Sequence, residues 1–214
     1  MSYYDYNLTS FLTSAPTIHH LPDDVGIEIA FIGYSNSGKS SALNALTNQK
    51  KLARTSKKPG CTQLINLFQI TEGYKLVDLP GYGYAKIPKK MKIKWNNTLT
   101  QYLRFRNCLQ GLLILMDIRY PLKDLDKKII SWVQENRLQT LILLTKSDKL
   151  STTASHAQLI AVRQEIKNFR DIIQVELFSA KNNIGIHILR NKMDSWYRND
   201  AHIQNNRLIP LKLI

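Results

Sequence analysis

The sequence predicts an α/β fold: a three-layer domain whose six-stranded sheet is mostly parallel, with one antiparallel strand and helices on both faces. Three observations lead there. Short apolar runs of strand length alternate with longer helical stretches. One connection, Thr71-Glu72-Gly73, is tight enough only for a hairpin, so the runs it joins pair antiparallel. Segments that look like ligand-binding loops fall just after the apolar runs, at the sheet edge where such folds collect their ligands.

In order, the strands are read at 27–32, 64–70, 74–77, 111–116, 140–144 and 172–178. Helices are read at 38–47, in a basic stretch over about 88–108, and at 122–136, 153–169 and 184–197, several opening at Ser, Thr, Pro or Asp. Every connection but the hairpin is long enough for a helical crossover. A chain of 214 residues accommodates one such domain, read at 26–198, with an N-terminal extension 1–25 and a C-terminal tail 199–214 expected to be loosely ordered. No internal repeat or low-complexity tract interrupts it.

Apolar residues make up 43% of the chain and are spread along it, as a globular core requires. Lys and Arg outnumber Asp and Glu by 30 to 16, a net charge of +14 that suits a polyanionic partner. The longest apolar runs, such as 111–116 and 141–144, fall far short of the ~20 residues a membrane-spanning helix needs. The first ten residues lack the basic and apolar regions of a signal peptide, and no prenylation Cys stands at the C-terminus, so a cytosolic protein without a membrane partner is expected. Cys61 and Cys108 are too few for a disulfide framework or zinc cage and read as free thiols. The pair His19 and His20 has no further ligand type nearby, which argues against a metal role.

After the first strand comes Gly33-Tyr34-Ser35-Asn36-Ser37-Gly38-Lys39-Ser40, the GxxxxGK[ST] pattern at a strand-to-helix junction, followed by Ser41. Its glycines let successive backbone N–H groups face a phosphate chain. Lys39 then reaches the β- and γ-phosphates, and the Ser40 hydroxyl binds Mg²⁺. After the third strand, Asp78-Leu79-Pro80-Gly81 places a carboxylate to hold a water on Mg²⁺ and a Gly81 N–H to sense the γ-phosphate. Between them, Thr62 in Pro59-Gly60-Cys61-Thr62-Gln63 can complete the Mg²⁺ shell, which makes 50–62 the first switch segment. Lys39, Thr62 and Gly81 are the groups expected at the reacting phosphate.

The base is read at two further loops. In Thr145-Lys146-Ser147-Asp148 the Asp148 carboxylate accepts from both N1–H and the 2-amino group of guanine, a donor pair adenine lacks, while the Lys146 stem packs on the ring. In Ser179-Ala180-Lys181 the Ala180 N–H donates to O6, where an adenine amino group would leave a buried donor unpaired at a cost of about 1–3 kcal/mol. GTP and GDP are thus the expected ligands.

Together these segments resemble the translation-factor-type branch of P-loop GTPases. The wider text resembles its EngB family, also called YsxC or YihA, over residues 28–196. The resemblance is carried by Glu28-Ile29-Ala30-Phe31-Ile32-Gly33, Asn36-Ser37-Gly38-Lys39-Ser40-Ser41, Val77-Asp78-Leu79-Pro80-Gly81-Tyr82-Gly83-Tyr84-Ala85, Met116-Asp117-Ile118-Arg119 with Pro121-Leu122-Lys123-Asp124, and Leu144-Thr145-Lys146-Ser147-Asp148-Lys149-Leu150. It implies a bacterial GTPase that assists assembly of the large ribosomal subunit, with a link to cell division and septation. Tyr34 and Cys61 depart from it, standing where the family usually has a basic residue.

Ras-like GTPases orient the attacking water with a Gln after the DxxG glycine; here Tyr82 stands there, a phenol that stacks or caps but cannot align water in the same way. Intrinsic hydrolysis is therefore expected to be slow, with activation by ribosomal particles or K⁺. No Arg is assignable as a built-in finger, a group worth about 10³ to 10⁵ in rate. Asn36 has two readings. It occupies the P-loop position from which related GTPases bind K⁺ in place of an Arg finger, or it only shapes the loop through its own hydrogen bonds.

The basic residues gather at Lys50, Lys51, Arg54, Lys57 and Lys58, and again at Lys86, Lys89, Lys90, Lys92 and Lys94 with Arg104 and Arg106, interleaved by Tyr82, Tyr84 and Trp95. Beside both nucleotide-sensing segments, they predict a polyanion-binding surface; the resemblance implies that its partner is the large ribosomal subunit or its precursor, through rRNA. The chain is expected to act as a monomer. The alternative is a basic RNA-binding module with a vestigial nucleotide site, against which stands the joint retention of Lys39, Ser40, Thr62, Asp78 and Asp148.

Overall fold

The computed structural model describes residues 4–53, 64–83 and 89–198, with residues 89–92, 94 and 95 by backbone alone. Among the described residues the strands are β1 (Ser10–Ala15), β2 (Ile27–Gly33), β3 (Ile65–Thr71), β4 (Tyr74–Asp78), β5 (Leu109–Asp117), β6 (Thr140–Thr145) and β7 (Ile173–Leu177). The helices are α1 (Lys39–Thr47), α2 (Lys89–Phe105), α3 (Asp124–Glu135), α4 (Thr152–Glu165) and α5 (Ile186–Arg198). All strands join one sheet in the order β1-β3-β4-β2-β5-β6-β7.

Only β3 runs against the rest, pairing antiparallel with both β1 and β4 while every other pair is parallel. The six strands expected from the sequence are β2 to β7. The seventh, β1, lies in the stretch expected to be loosely ordered. Its neighbours pin it: the Tyr6 hydroxyl donates to Asp194 Oδ1 on α5 at 2.7 Å, and Gln49 Nε2 donates to the carbonyls of Asn7 and Thr9.

The central strands are buried on both faces, and their period-two alternation sorts the apolar residues into two cores. Ala30, Ile32, Leu112, Ile114, Met116, Ile142 and Leu144 face one way, against Leu99, Tyr102 and Leu103 of α2, Ile129 and Val133 of α3, and Val162 of α4. Ile29, Phe31, Leu113, Leu115, Leu141 and Leu143 face the other, against Leu43 and Leu46 of α1 and Leu189, Met193 and Trp196 of α5. A rigid sheet between two helical layers thus carries β2, β4, β5 and β6 to one edge, where their following loops meet.

At the opposite end of β2 a polar cluster ties α2 to the sheet. Glu28, fully buried, receives the Arg106 fork through Nη2 at 2.7 Å and Nε at 3.1 Å, and the Tyr102 hydroxyl at 2.7 Å. Arg106 also donates to the carbonyls of Pro22 and Asp23. Arg106 is therefore withdrawn from the exposed basic cluster in which the sequence placed it. Cys108, beside this cluster, is a buried free thiol.

Candidate functional site

β2 ends at Gly33, and the chain then turns through Asn36 (φ +60) and Gly38 (φ +97) before α1 starts at Lys39. Two left-handed residues so close together curl the backbone into a concave nest of N–H groups at a helix N-terminus, which favours anions. Not every donor in 33–40 is available. Ser35 N–H donates to the Tyr82 carbonyl at 2.9 Å and Ser37 N–H to the Tyr34 carbonyl at 3.0 Å. Ser40 lies half-buried and Ser41 exposed at the start of α1.

Lys39 and Asp78 are both buried at the head of this loop. Burial pushes the Asp78 carboxyl up to about 6 against the charge of Lys39, and burial lowers Lys39 against the charge of Asp78. Asp78 Oδ1 has no hydrogen-bond partner. A buried carboxylate oxygen without a donor, beside a buried ammonium at an anion-binding loop, fits a phosphate chain carrying a hydrated Mg²⁺. Leu79 donates its N–H to the Phe31 carbonyl at 3.1 Å and buries its side chain in the core, so it walls the site. Pro80 and Gly81 follow, also buried.

Tyr82 packs beneath the phosphate loop, its ring edge-on to Tyr34. It is 3% exposed within the apolar core, its hydroxyl donating to Asp126 Oδ1 on α3 at 2.5 Å. An apolar ring next to a core helix gains more by burial than by covering a polar loop. Gly60, Cys61 and Thr62 lie outside the described residues, as do Arg54, Lys57, Lys58, Tyr84 and Lys86.

The base-side loops are braced against the phosphate loop. Thr145 is buried; its hydroxyl donates to the Ser37 carbonyl at 2.6 Å and lies 3.0 Å from the Met116 carbonyl. Lys146 adopts φ +59, and its Nζ donates to the Asn36 carbonyl at 2.8 Å and pairs with Asp117 Oδ2 at 3.0 Å. Asp117, at the end of β5, also takes both Nε and Nη2 of Arg119. Burial alone would raise the Asp117 pKa, but the hydrogen bonds from Arg119 and Lys146 outweigh it and hold the carboxyl well below its usual range.

Asp148 Oδ1 accepts from the Ser179 hydroxyl at 2.6 Å, and that bond lowers the carboxyl's pKa. Ser179 in turn sits in a closed turn, exchanging backbone hydrogen bonds with Ile184 at 3.0 Å each way, which sets Ala180 and Lys181 at the rim beside Asp148. The structure thus brings Asn36, Ser37, Lys39, Thr145, Lys146, Asp148 and Ser179 into one connected site. The sequence singled out Asp117 only among the residues that carry the resemblance and gave it no role, and it gave none to Asp126; the signal available for Asp117 was its place just after an apolar strand.

A strand-loop-helix phosphate cradle, a buried acidic residue on the neighbouring strand and an oriented carboxylate two strands away define a GTPase of the P-loop class. The family model described as 50S ribosome-binding GTPase matches residues 28–146. The probable GTP-binding protein EngB of Klebsiella pneumoniae (strain 342) is 59% identical over 197 residues, covering 92% of this chain and 94% of its own. That of Pectobacterium carotovorum subsp. carotovorum (strain PC1) is 56% identical over 204 residues, covering 95% and 97%. The chain belongs to the EngB family of GTP-binding proteins. Among solved structures, a probable GTP-binding protein EngB superposes with a TM-score of 0.64 at 20% identity, covering 80% of this chain and 99% of its own. Era in complex with MgGDPNP and a 16S ribosomal RNA fragment does so with 0.63 at 18%, covering 80% and 57%; both are likenesses of fold.

Proposed function

We propose that this GTPase is a slow guanine-nucleotide switch that assists assembly of the large ribosomal subunit, with a bearing on cell division and septation, and acts as a cytoplasmic monomer. The observation that carries the nucleotide reading is the Asp148 carboxylate, kept ionised and oriented by Ser179 at the rim of the site. An oriented carboxylate takes the paired donors of guanine, and the Ala180 N–H takes its O6. Lys146, braced by Asp117 and the Asn36 carbonyl, lays its stem along the base.

Lys39 and the loop 33–40 hold the phosphates, the Gly81 N–H meets the γ-phosphate, and Ser40, Thr62 and, through water, Asp78 hold Mg²⁺. Held there, Mg²⁺ would supply positive charge that offsets the charge of the phosphate chain. Hydrolysis is slow because the residue after Gly81 is a buried tyrosine rather than a group that aligns water. Asn36 would supply a ligand to K⁺ in place of an Arg finger, the alternative being that it only shapes the loop; turnover that is equal in KCl and NaCl, with and without ribosomal particles, refutes the K⁺ role.

The ribosomal reading draws on the +14 charge and on the description of the matching family as 50S ribosome-binding. Lys50, Lys51 and Arg104 are exposed on the described surface. Co-sedimentation with large subunits at rising salt tests it. Binding is expected to be tighter with a non-hydrolysable GTP analogue than with GDP and to fall steeply with salt, through release of counterions from RNA. An affinity indifferent to both nucleotide and salt refutes it.

A further inference from the structure

The buried Tyr82–Asp126 pair is used by nothing in the reaction described above, yet it lies one peptide bond from the glycine assigned to the γ-phosphate. Tyr82 is held on three sides. Its N–H donates to the Gly33 carbonyl at 3.2 Å, its carbonyl accepts from Ser35 N–H at 2.9 Å, and its hydroxyl donates to Asp126 Oδ1. Asp126, 1% exposed in the first turn of α3, is itself fixed: its Oδ2 accepts from the Lys123 N–H at 3.1 Å.

The Tyr34 ring lies edge-on to Tyr82 with centroids 4.7 Å apart, and Lys123 Nζ stands 4.7 Å above Tyr34. Beyond Tyr82 the chain turns at Gly83, where φ is +76 and a Cβ would stand 2.0 Å from the Tyr34 ring. Any side chain there would both strain the backbone and strike that ring.

A buried carboxylate in an apolar cluster is unfavourable unless it is hydrogen-bonded, and a Phe packed on an aliphatic residue would fill the same space without that penalty. What the polar pair adds is a fixed height and rotation for Tyr82, which Gly81 inherits through one rigid peptide plane. We propose that Asp126 is a positioning residue for the γ-phosphate sensor: through the Tyr82 hydroxyl it holds Gly81 against the phosphate loop. This rests on the reading of Gly81 as the γ-phosphate contact.

The test is fluorescent-nucleotide titration of the full chain with Mg²⁺, using GDP and a non-hydrolysable GTP analogue. Tyr82→Phe keeps the ring and removes only the bond to Asp126; it is expected to weaken the GTP analogue about tenfold and to leave GDP within about twofold. Asp126→Ala should reproduce that change in ratio, and the double variant should add nothing to it. Asp126→Asn keeps one of the two acceptors and, with its oxygen on the Lys123 N–H, can donate its amide to the Tyr82 oxygen, so its ratio should lie nearer the wild type than that of Asp126→Ala.

An unchanged ratio in Tyr82→Phe and Asp126→Ala, or an equal loss for both nucleotides, overturns the proposal. Gly81→Pro, which removes the N–H itself, separates the two levels, with retained GDP binding as the check that the site still folds. If it leaves the ratio unchanged, the γ-phosphate reading fails and the proposal with it. If it alone lowers the ratio, the reading stands and the role of Asp126 fails.

Discussion

Replacing Arg106 by Met removes a cation that is 6% exposed and leaves the carboxylate of Glu28, fully buried, with the Tyr102 hydroxyl alone. Two charge-assisted bonds, at 2.7 and 3.1 Å, are lost, together with donors to the Pro22 and Asp23 carbonyls. Breaking one side of a buried pair costs about 3–5 kcal/mol, because an uncompensated charge stays inside. A domain's total stability is about 5–15 kcal/mol, so the loss is a large part of it. Urea unfolding followed by circular dichroism reads the effect. With a slope of about 2 kcal/mol/M, the midpoint should fall by roughly 2 M. The double variant Glu28→Gln, Arg106→Met should recover much of that, since it removes both charges. A loss below about 1 kcal/mol in Arg106→Met, or no recovery in the double variant, would refute the reasoning.

Two further outcomes follow from the site. Asp117→Asn removes the charge that pairs with Lys146 and Arg119; GDP affinity should fall about fivefold to tenfold, and isothermal titration calorimetry would read it, an unchanged Kd counting against the bracing role. Burial raises the Asp126 carboxyl to about 6 from its ordinary 3.8, against the Tyr82 bond, so the folded state holds its proton to higher pH than the unfolded chain. That contribution is fully present below about pH 4 and lost as pH rises through about 6, a relative change of about 3 kcal/mol. Wild-type stability should therefore fall against that of Asp126→Asn across this window in urea titrations, and parallel pH profiles would contradict it.

The central sheet was legible because β2, β5 and β6 are buried on both faces, and continuous apolar runs flanked by glycine, lysine or aspartate stand out in a polar chain. β1 was not. Ser10-Phe11-Leu12-Thr13-Ser14-Ala15 is an edge strand, mostly exposed, with no alternation to announce it, and its place is fixed by distant partners such as Asp194. The phosphate and base loops were legible because each follows a strand at fixed spacing. Their bracing was not, because Asp117 and Lys146, or Ser179 and Asp148, meet only through the parallel register of separate strands. Tyr82 and Arg106 were misplaced for one reason: a polar or charged residue in a basic stretch reads as surface unless its buried partner is known. Those partners, Asp126 and Glu28, lie 44 and 78 residues away.

Nucleotide selectivity of Asp148→Asn tests the account most directly. If Asp148 reads guanine, the variant should bind GDP about 100-fold or more weakly, two charge-assisted bonds being lost, and should prefer xanthosine diphosphate, whose 2-oxo group accepts from the new amide. GDP affinity within about threefold of wild type, with no gain for the xanthosine nucleotide, would contradict the assignment of the base site.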